Sequence, residues 1–281
     1  MKVRRIESKH ITEFAAHLRR EERSLGTVEN YLRQVRAFAA WLGDVSVTKE
    51  VAAAWKAYLM DAGYRPGTVN TMLVPLNRFF KFLGWQECLV KSLRRQRQLF
   101  RDESKELTRL EYDRLIATTL DMGKERLALL MEAICATGIR VSEVRYLTVE
   151  AAERGRAEIT LKGKSRIILI PGKLRRKLLK YARQHKIAFG EIFLTRSGKG
   201  LGRKQIWAEM KAICAAAGVA PSKVFPHNLR HLFARTFYKV CRDVVKLADV
   251  LGHSSVETTR IYLISTGAEH ERQLERLGLI G

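Results

Sequence analysis

The chain has 281 residues, room for two modest domains, and its 52 Lys and Arg against 29 Asp and Glu give a formal charge of +23. With 46% hydrophobic residues it is too apolar for a disordered polycation. A folded protein of this charge meets something acidic, and nucleic acid is the commonest such partner, because each phosphate neutralised by Lys or Arg releases a condensed counterion.

The excess is spread over the whole length, with 18 basic and 9 acidic side chains in the first hundred residues and 34 and 20 in the rest. A membrane-surface protein would concentrate its charge on one amphipathic helix instead. No apolar run approaches the roughly 20 residues needed to span a bilayer, so no membrane partner and a cytoplasmic location are expected. Cys88, Cys135, Cys214 and Cys241 lack any C-x-x-C spacing and read as reduced, buried thiols.

In chain order, Ser8 to Glu22 reads as a first helix. Gly26-Thr27-Val28, Leu32, Phe38 and Leu42-Gly43 then recur 41 residues later as Gly67-Thr68-Val69, Leu73, Phe79 and Leu83-Gly84. Each copy predicts one helix, capped by Thr27 or Thr68, with one apolar stripe and a glycine stop. Thr48 to Ala62 forms another helix between them. Residues 1–90 are thus expected to make an all-helical domain that begins almost at Met1. The stretch 91–106, rich in charge and poor in core candidates, reads as a basic linker, and 107–281 as a second domain.

That domain opens on a capping box, Thr108 with Glu111, ahead of a helix to about Thr118. An apolar helix follows, Arg126 to Ala136. A short strand is expected at Leu147 to Glu150, and a β-hairpin at Ala157 to Leu161 and Arg166 to Ile170, with Lys162-Gly163-Lys164-Ser165 at its tip. The remainder predicts helices over 174–185, 203–217, 228–241, 244–251 and 255–264, with a short amphipathic helix at Glu269 to Leu277.

Four local sequences stand out together in this second half. They are Ala136-Thr137-Gly138-Ile139-Arg140-Val141-Ser142-Glu143, the hairpin Lys162, His227-Asn228-Leu229-Arg230-His231, and Leu251-Gly252-His253 followed nine positions later by Tyr262. Their order and spacing resemble the tyrosine recombinases, the phage-integrase and Xer-like family, over about residues 8 to 270. The resemblance implies a mainly α fold with a small antiparallel β-sheet (α+β). A helical, SAM-like core-binding domain and a catalytic domain would close as a clamp around duplex DNA.

The chemistry of the residues agrees. Transferring a phosphodiester without metal or nucleotide requires a nucleophile, fixed cations around the phosphate and an acid for the leaving oxygen. By the resemblance Tyr262 is the nucleophile, forming a 3′-phosphotyrosyl intermediate. Arg140 and Arg230 clamp the non-bridging oxygens with planar, permanently charged donors. His227 and His253 donate hydrogen bonds or assist proton transfer. Lys162 protonates the departing 5′-oxygen, a role that Lys164, two residues on, could also fill. Glu143 braces the site from behind. His231 lies four positions from His227, but no H-E-x-x-H pattern accompanies the pair; it is read as a supporting or structural residue. No cofactor and no metal are expected.

The implied partners are double-stranded DNA with specific core sites and further protomers, a homo- or hetero-tetramer on two duplexes with the C-terminal helix docked in trans. Candidate DNA contacts are Arg33, Arg36, Arg78 and Lys81 in the repeated helices and Arg94, Arg95 and Arg97 in the linker. A nicking-and-closing, topoisomerase-like enzyme and a non-catalytic DNA binder are the neighbouring readings. The binder is disfavoured because no position of the catalytic set carries an inert residue.

Overall fold

The 41-residue echo becomes two helices that present the same side chains to one core. The computed structural model describes residues 4–94, 102–161, 164–263, 271–272 and 274–278, and the chain divides into two units, residues 1–97 and 98–281. In the first unit α1 (Ser8–Arg20), α2 (Leu25–Leu42), α3 (Lys49–Asp61) and α4 (Pro66–Phe82) surround buried Phe14, Leu18, Trp55 and Leu59. Val28 and Val69, Leu32 and Leu73, and Phe38 and Phe79 are all buried, which accounts for the repeat.

The helix starts differ from expectation. The N-cap of α2 is Ser24, not Thr27, and that of α4 is Arg65, not Thr68. Pro66 opens α4 because the first helical residue needs no N–H. Thr48 does cap α3, accepting from the Val51 N–H at 3.3 Å. Two asparagines on α4 then clasp the chain that leaves it. Asn77 Nδ2 donates to the Val90 carbonyl at 2.8 Å while its Oδ1 accepts from the Val90 N–H at 2.9 Å. Asn70 makes the same pair of bonds with Leu93, at 2.9 and 2.8 Å.

The second unit is built on α6 (Glu125–Thr137), buried along most of its length and packed against α5 (Arg109–Asp121), α8 (Gly172–Gln184), α9 (Arg203–Lys211) and α10 (Pro226–Cys241). The capping box of α5 forms as expected, with Glu111 N donating to Thr108 Oγ1 at 3.1 Å and Thr108 N to Glu111 Oε2 at 2.8 Å. The strand expected at Leu147 to Glu150 is absent. Thr148 caps a short helix instead, α7 (Val149–Arg154), accepting from the Ala151 N–H at 3.1 Å.

β1 (Arg156–Leu161) and β2 (Lys164–Leu169) pair antiparallel, with Leu161 opposite Lys164 and Ile159 opposite Arg166. The ladder therefore reaches nearer the tip than expected. Ala157, Ile159 and Ile168 point into the core, whereas Ile167 and Leu169 are exposed.

α9 stops at Lys211, short of the expected Ala217. After α10 come α11 (Val244–Leu251) and α12 (Val256–Arg260), and Tyr262 follows α12 in a turn. Of the expected C-terminal helix, residues 269, 270 and 273 lie outside the described residues; 271–272 and 274–275 are helical, and Leu274 and Leu277 are exposed. Among the described residues no helix is long and apolar enough to cross a membrane, and no group of His, Cys, Asp or Glu could hold a metal ion.

Candidate active site

α6 ends at Gly138, in the left-handed region with φ 63°. A Cβ there would stand 2.5 Å from the Phe233 ring, so both the backbone and the close packing require glycine. The chain then turns tightly into a 3-10 segment, Val141–Tyr146, preceded by Arg140. Glu143, with 3% of its side chain exposed, closes this turn: Oε2 accepts from Arg140 N and Oε1 from Arg140 Nη1, each at 2.9 Å. Arg140 is thereby oriented at both ends while 38% of its side chain faces solvent. Its Nη2 donates to the Gly252 carbonyl at 3.0 Å.

At the start of α10, the i, i+3, i+4 spacing sets His227, Arg230 and His231 on one helix face. Asn228 points elsewhere and fixes the helix end by donating to the Lys105 and Lys223 carbonyls at 2.9 and 2.7 Å. Arg230 is only 2% exposed. Its Nη1 donates to the Gly138 carbonyl, and its Nη2 to the Leu251 carbonyl at 2.7 Å and to His253 Nε2 at 3.0 Å. A guanidinium has no acceptor, so His253 Nε2 carries the lone pair. The proton then sits on Nδ1, which donates to the buried Thr259 hydroxyl at 2.8 Å.

Tyr262 is 3% exposed and closes the cluster. Its ring centroid lies 4.4 Å from that of His231, 6.1 Å from His227 and 5.7 Å from His253, nearly parallel to the last. Arg140, Arg230, His227, His231, His253 and Tyr262 are thus brought together from four parts of the chain. Lys162 and the side chain of Lys164 lie outside the described residues.

The electrostatics follow from burial beside positive charge. Burial, and then the Arg230, Arg140, Arg166 and His227 charges, pull the His253 pKa down to about 4. Burial, His227 and Arg230 bring His231 to about 4 as well, and His227 is lowered by burial and by Arg230, Arg140 and Arg203. All three are neutral at pH 7. Burial and Arg140 lower Arg230 to about 10, with the Tyr262 phenol opposing the shift, so it stays cationic at pH 7.

Two residues here escaped the sequence reading. Thr259 fixes the His253 tautomer, and a lone threonine six positions on carries no signal. Arg166, on β2, donates to Glu143 Oε2 at 2.6 Å through Nη2 and to the Leu251 carbonyl through Nη1. Its signal was available, because it stands in phase with the inward Ile168 and so puts a charge in an apolar slot.

Of the expected DNA-contacting residues, Arg33, Arg36, Lys81 and Arg94 are exposed. Arg33 also donates to Asn30 at 2.7 Å, and Arg78 is ion-paired with Glu21. Arg95 and Arg97 lie outside the described residues.

Comparison with known proteins points the same way as the geometry. The phage integrase family pattern matches residues 105–269, and the phage integrase N-terminal SAM-like domain matches residues 11–87. Tyrosine recombinase XerA of Pyrococcus furiosus is 29% identical over 100% of this chain and 98% of its own. Tyrosine recombinase XerD of Lacticaseibacillus casei is 30% identical over 84% of this chain and 86% of its own. The Tn1549 transposon integrase in complex with transposon right end DNA superposes with TM-score 0.73 at 16% identity, over 96% of this chain and 99% of that one. A lambda integrase tetramer bound to a Holliday junction gives 0.73 at 18% identity, over 90% and 76%. A pattern that spans most of the chain, full-length relatives and a shared fold have one reading: the chain belongs to the phage integrase family of tyrosine recombinases.

Proposed function

We propose that this chain, as a tyrosine-type site-specific recombinase, cleaves and rejoins DNA strands through Tyr262. The observation that carries the reading is the convergence of Tyr262 on His253 and on the buried, preorganised Arg230. In the forward step the Tyr262 oxygen bonds to the scissile phosphorus and the P–O5′ bond breaks, leaving a 3′-phosphotyrosyl ester and a free 5′-hydroxyl. The phenol proton passes to a neutral imidazole, for which His253 and His227 are the candidates, since burial and the neighbouring arginines lower both pKa values. Lys162 supplies the proton to the departing 5′-oxygen. Attack by another strand's 5′-hydroxyl reverses the step without ATP, because the ester keeps the phosphodiester energy.

Arg140 and Arg230 hold the non-bridging oxygens as charge builds toward the pentacoordinate transition state. Fixed donors of this kind cost no reorganisation when the charge develops. Arg33, Arg36, Lys81, Arg94, Arg95 and Arg97 are read as backbone contacts that set register without reading sequence. Arg78 is a weaker member of that set because Glu21 already pairs with it. Assembly as a tetramer on two duplexes, with the C-terminal helix docked in a neighbour, is supported by the exposed Leu274 and Leu277. The domain division follows the same reading: 1–90 for core binding, 91–106 as linker and 107–281 for catalysis.

The test is a suicide substrate whose 5′-hydroxyl fragment diffuses away. Wild-type protein should form a covalent protein–DNA adduct, and Tyr262→Phe should bind the same DNA and form none. Wild-type protein without adduct on any candidate core site, or an adduct in Tyr262→Phe, would falsify the assignment.

A further inference from the structure

Arg166 occupies an expensive position. It stands opposite Ile159 on a hairpin face where the described side chains beside it are Ala157, Ile159 and Ile168, with 15% of its own side chain exposed. Its Nε is the one buried side-chain polar atom among the described residues that has no hydrogen-bond partner. Among the described residues its charge is compensated by Glu143 alone, which Arg140 shares. Burial of a half-satisfied guanidinium works against folding, and apolar side chains of similar volume commonly replace such groups without loss of stability. The fold alone gives no reason for an arginine here.

What Arg166 touches supplies the reason. One arm holds Glu143, the carboxylate that orients Arg140. The other holds the Leu251 carbonyl, which also receives Arg230. The next carbonyl, Gly252, receives Arg140, and the next residue is His253. Gly252 itself has φ 63°, and a Cβ on it would collide with Cδ and Nη1 of Arg166. The arginine therefore lies against the turn that carries His253, and links it to β2.

We propose that Arg166 is a positioning residue for strand cleavage, joining Glu143, and through it Arg140, to the Leu251–His253 turn. The proposal rests on the recombinase reading above and adds a third arginine to the pair that faces the phosphate. Arg140 and Arg166 share the single carboxylate of Glu143, and Arg230 is held by carbonyls and His253, so three guanidiniums and one carboxylate leave two positive charges, matching the two negative charges of a pentacoordinate phosphorane. Removing Arg166 would loosen the turn and drop one of those charges, while the exposed cations that hold the DNA backbone are untouched.

The experiment compares wild type, Arg166→Met and Arg166→Lys for DNA affinity and for single-turnover adduct formation on the suicide substrate, across pH. Arg166→Met should bind DNA within about 3-fold of wild type and form adduct about 10- to 100-fold more slowly, the scale on which outer partners of reacting groups act. Arg166 is among the charges that depress His253, with Arg230, Arg140 and His227. The acid limb of the Arg166→Met profile should therefore move to higher pH, whereas Arg166→Lys, which keeps the charge but cannot grip both acceptors, should keep the wild-type limb at a reduced rate. Adduct formation at the wild-type rate in either variant overturns the proposal, and Arg166→Lys alone decides it if Arg166→Met does not fold. So does a loss in Arg166→Met that follows the folded fraction and leaves the acid limb unmoved. Absence of adduct in wild type would instead sink the recombinase reading itself.

Discussion

His231 and His253 lie in one cationic pocket, but they meet it differently. His253 is gripped at both nitrogens, by Arg230 and Thr259, and its protonation would break the first of these bonds. His231 touches aromatic faces, those of His227 and Tyr262, and its low pKa comes first from burial and then from the His227 and Arg230 charges. The unfolded chain takes up protons on these imidazoles near pH 6.5, while the native site resists until about pH 4. Stability from this source is present above pH 6.5 and lost as pH falls through that window. The melting temperature should drop between pH 6.5 and 4, and His231→Asn should flatten the slope. An unchanged slope would mean that His231 is not held neutral. His227, Arg230 and His231 were legible from their spacing, because i, i+3, i+4 positions on one helix share a face, and His253 and Tyr262 from the family resemblance. Arg166 was legible only as a charge in an apolar slot, and its partners were not, because they lie 23 and 85 positions away along the chain.

At the scale of elements, the reading failed where a local pattern has two physical solutions. Leu147 and Val149 are buried and Glu150 exposed, the alternation of a half-buried strand. Thr148 nonetheless uses its hydroxyl to start a helix, and the strand survives as a single bridge to Glu191. The helices of the repeat were legible because their stripes fill a core. Their starts were not, since Ser24 and Thr27 are both competent caps and the Arg65-Pro66 step decides α4. The α11–α12 turn gives the sharpest test of an element. Gly252→Ala meets both a left-handed backbone and Arg166, and should cost about 2–4 kcal/mol. Gly218→Ala, with φ 59° and open space around it, should cost about 1–2 kcal/mol. Equal losses in the two variants by chemical denaturation would remove the close packing of Arg166 on the turn.

For the whole molecule, the +23 separates into two kinds of charge. One part is carried by exposed lysines and arginines such as Arg36, Lys81 and Arg94, available to neutralise DNA phosphates and sensitive to ionic strength. A smaller part is the arginine cluster held in fixed geometry around Glu143 and the end of α11. Salt should act on these parts differently. DNA affinity should fall steeply from low to physiological ionic strength, to a similar extent in chloride and sulfate matched for ionic strength. The rate of adduct formation at saturating DNA should fall further in sulfate. Equal rates in the two salts would mean that the cluster is not a preformed seat. Such a seat does not distinguish a backbone phosphate from a free tetrahedral oxyanion of similar size and charge. Inorganic phosphate, a routine buffer, should therefore slow adduct formation as sulfate does, and a rate measured in it would understate the enzyme.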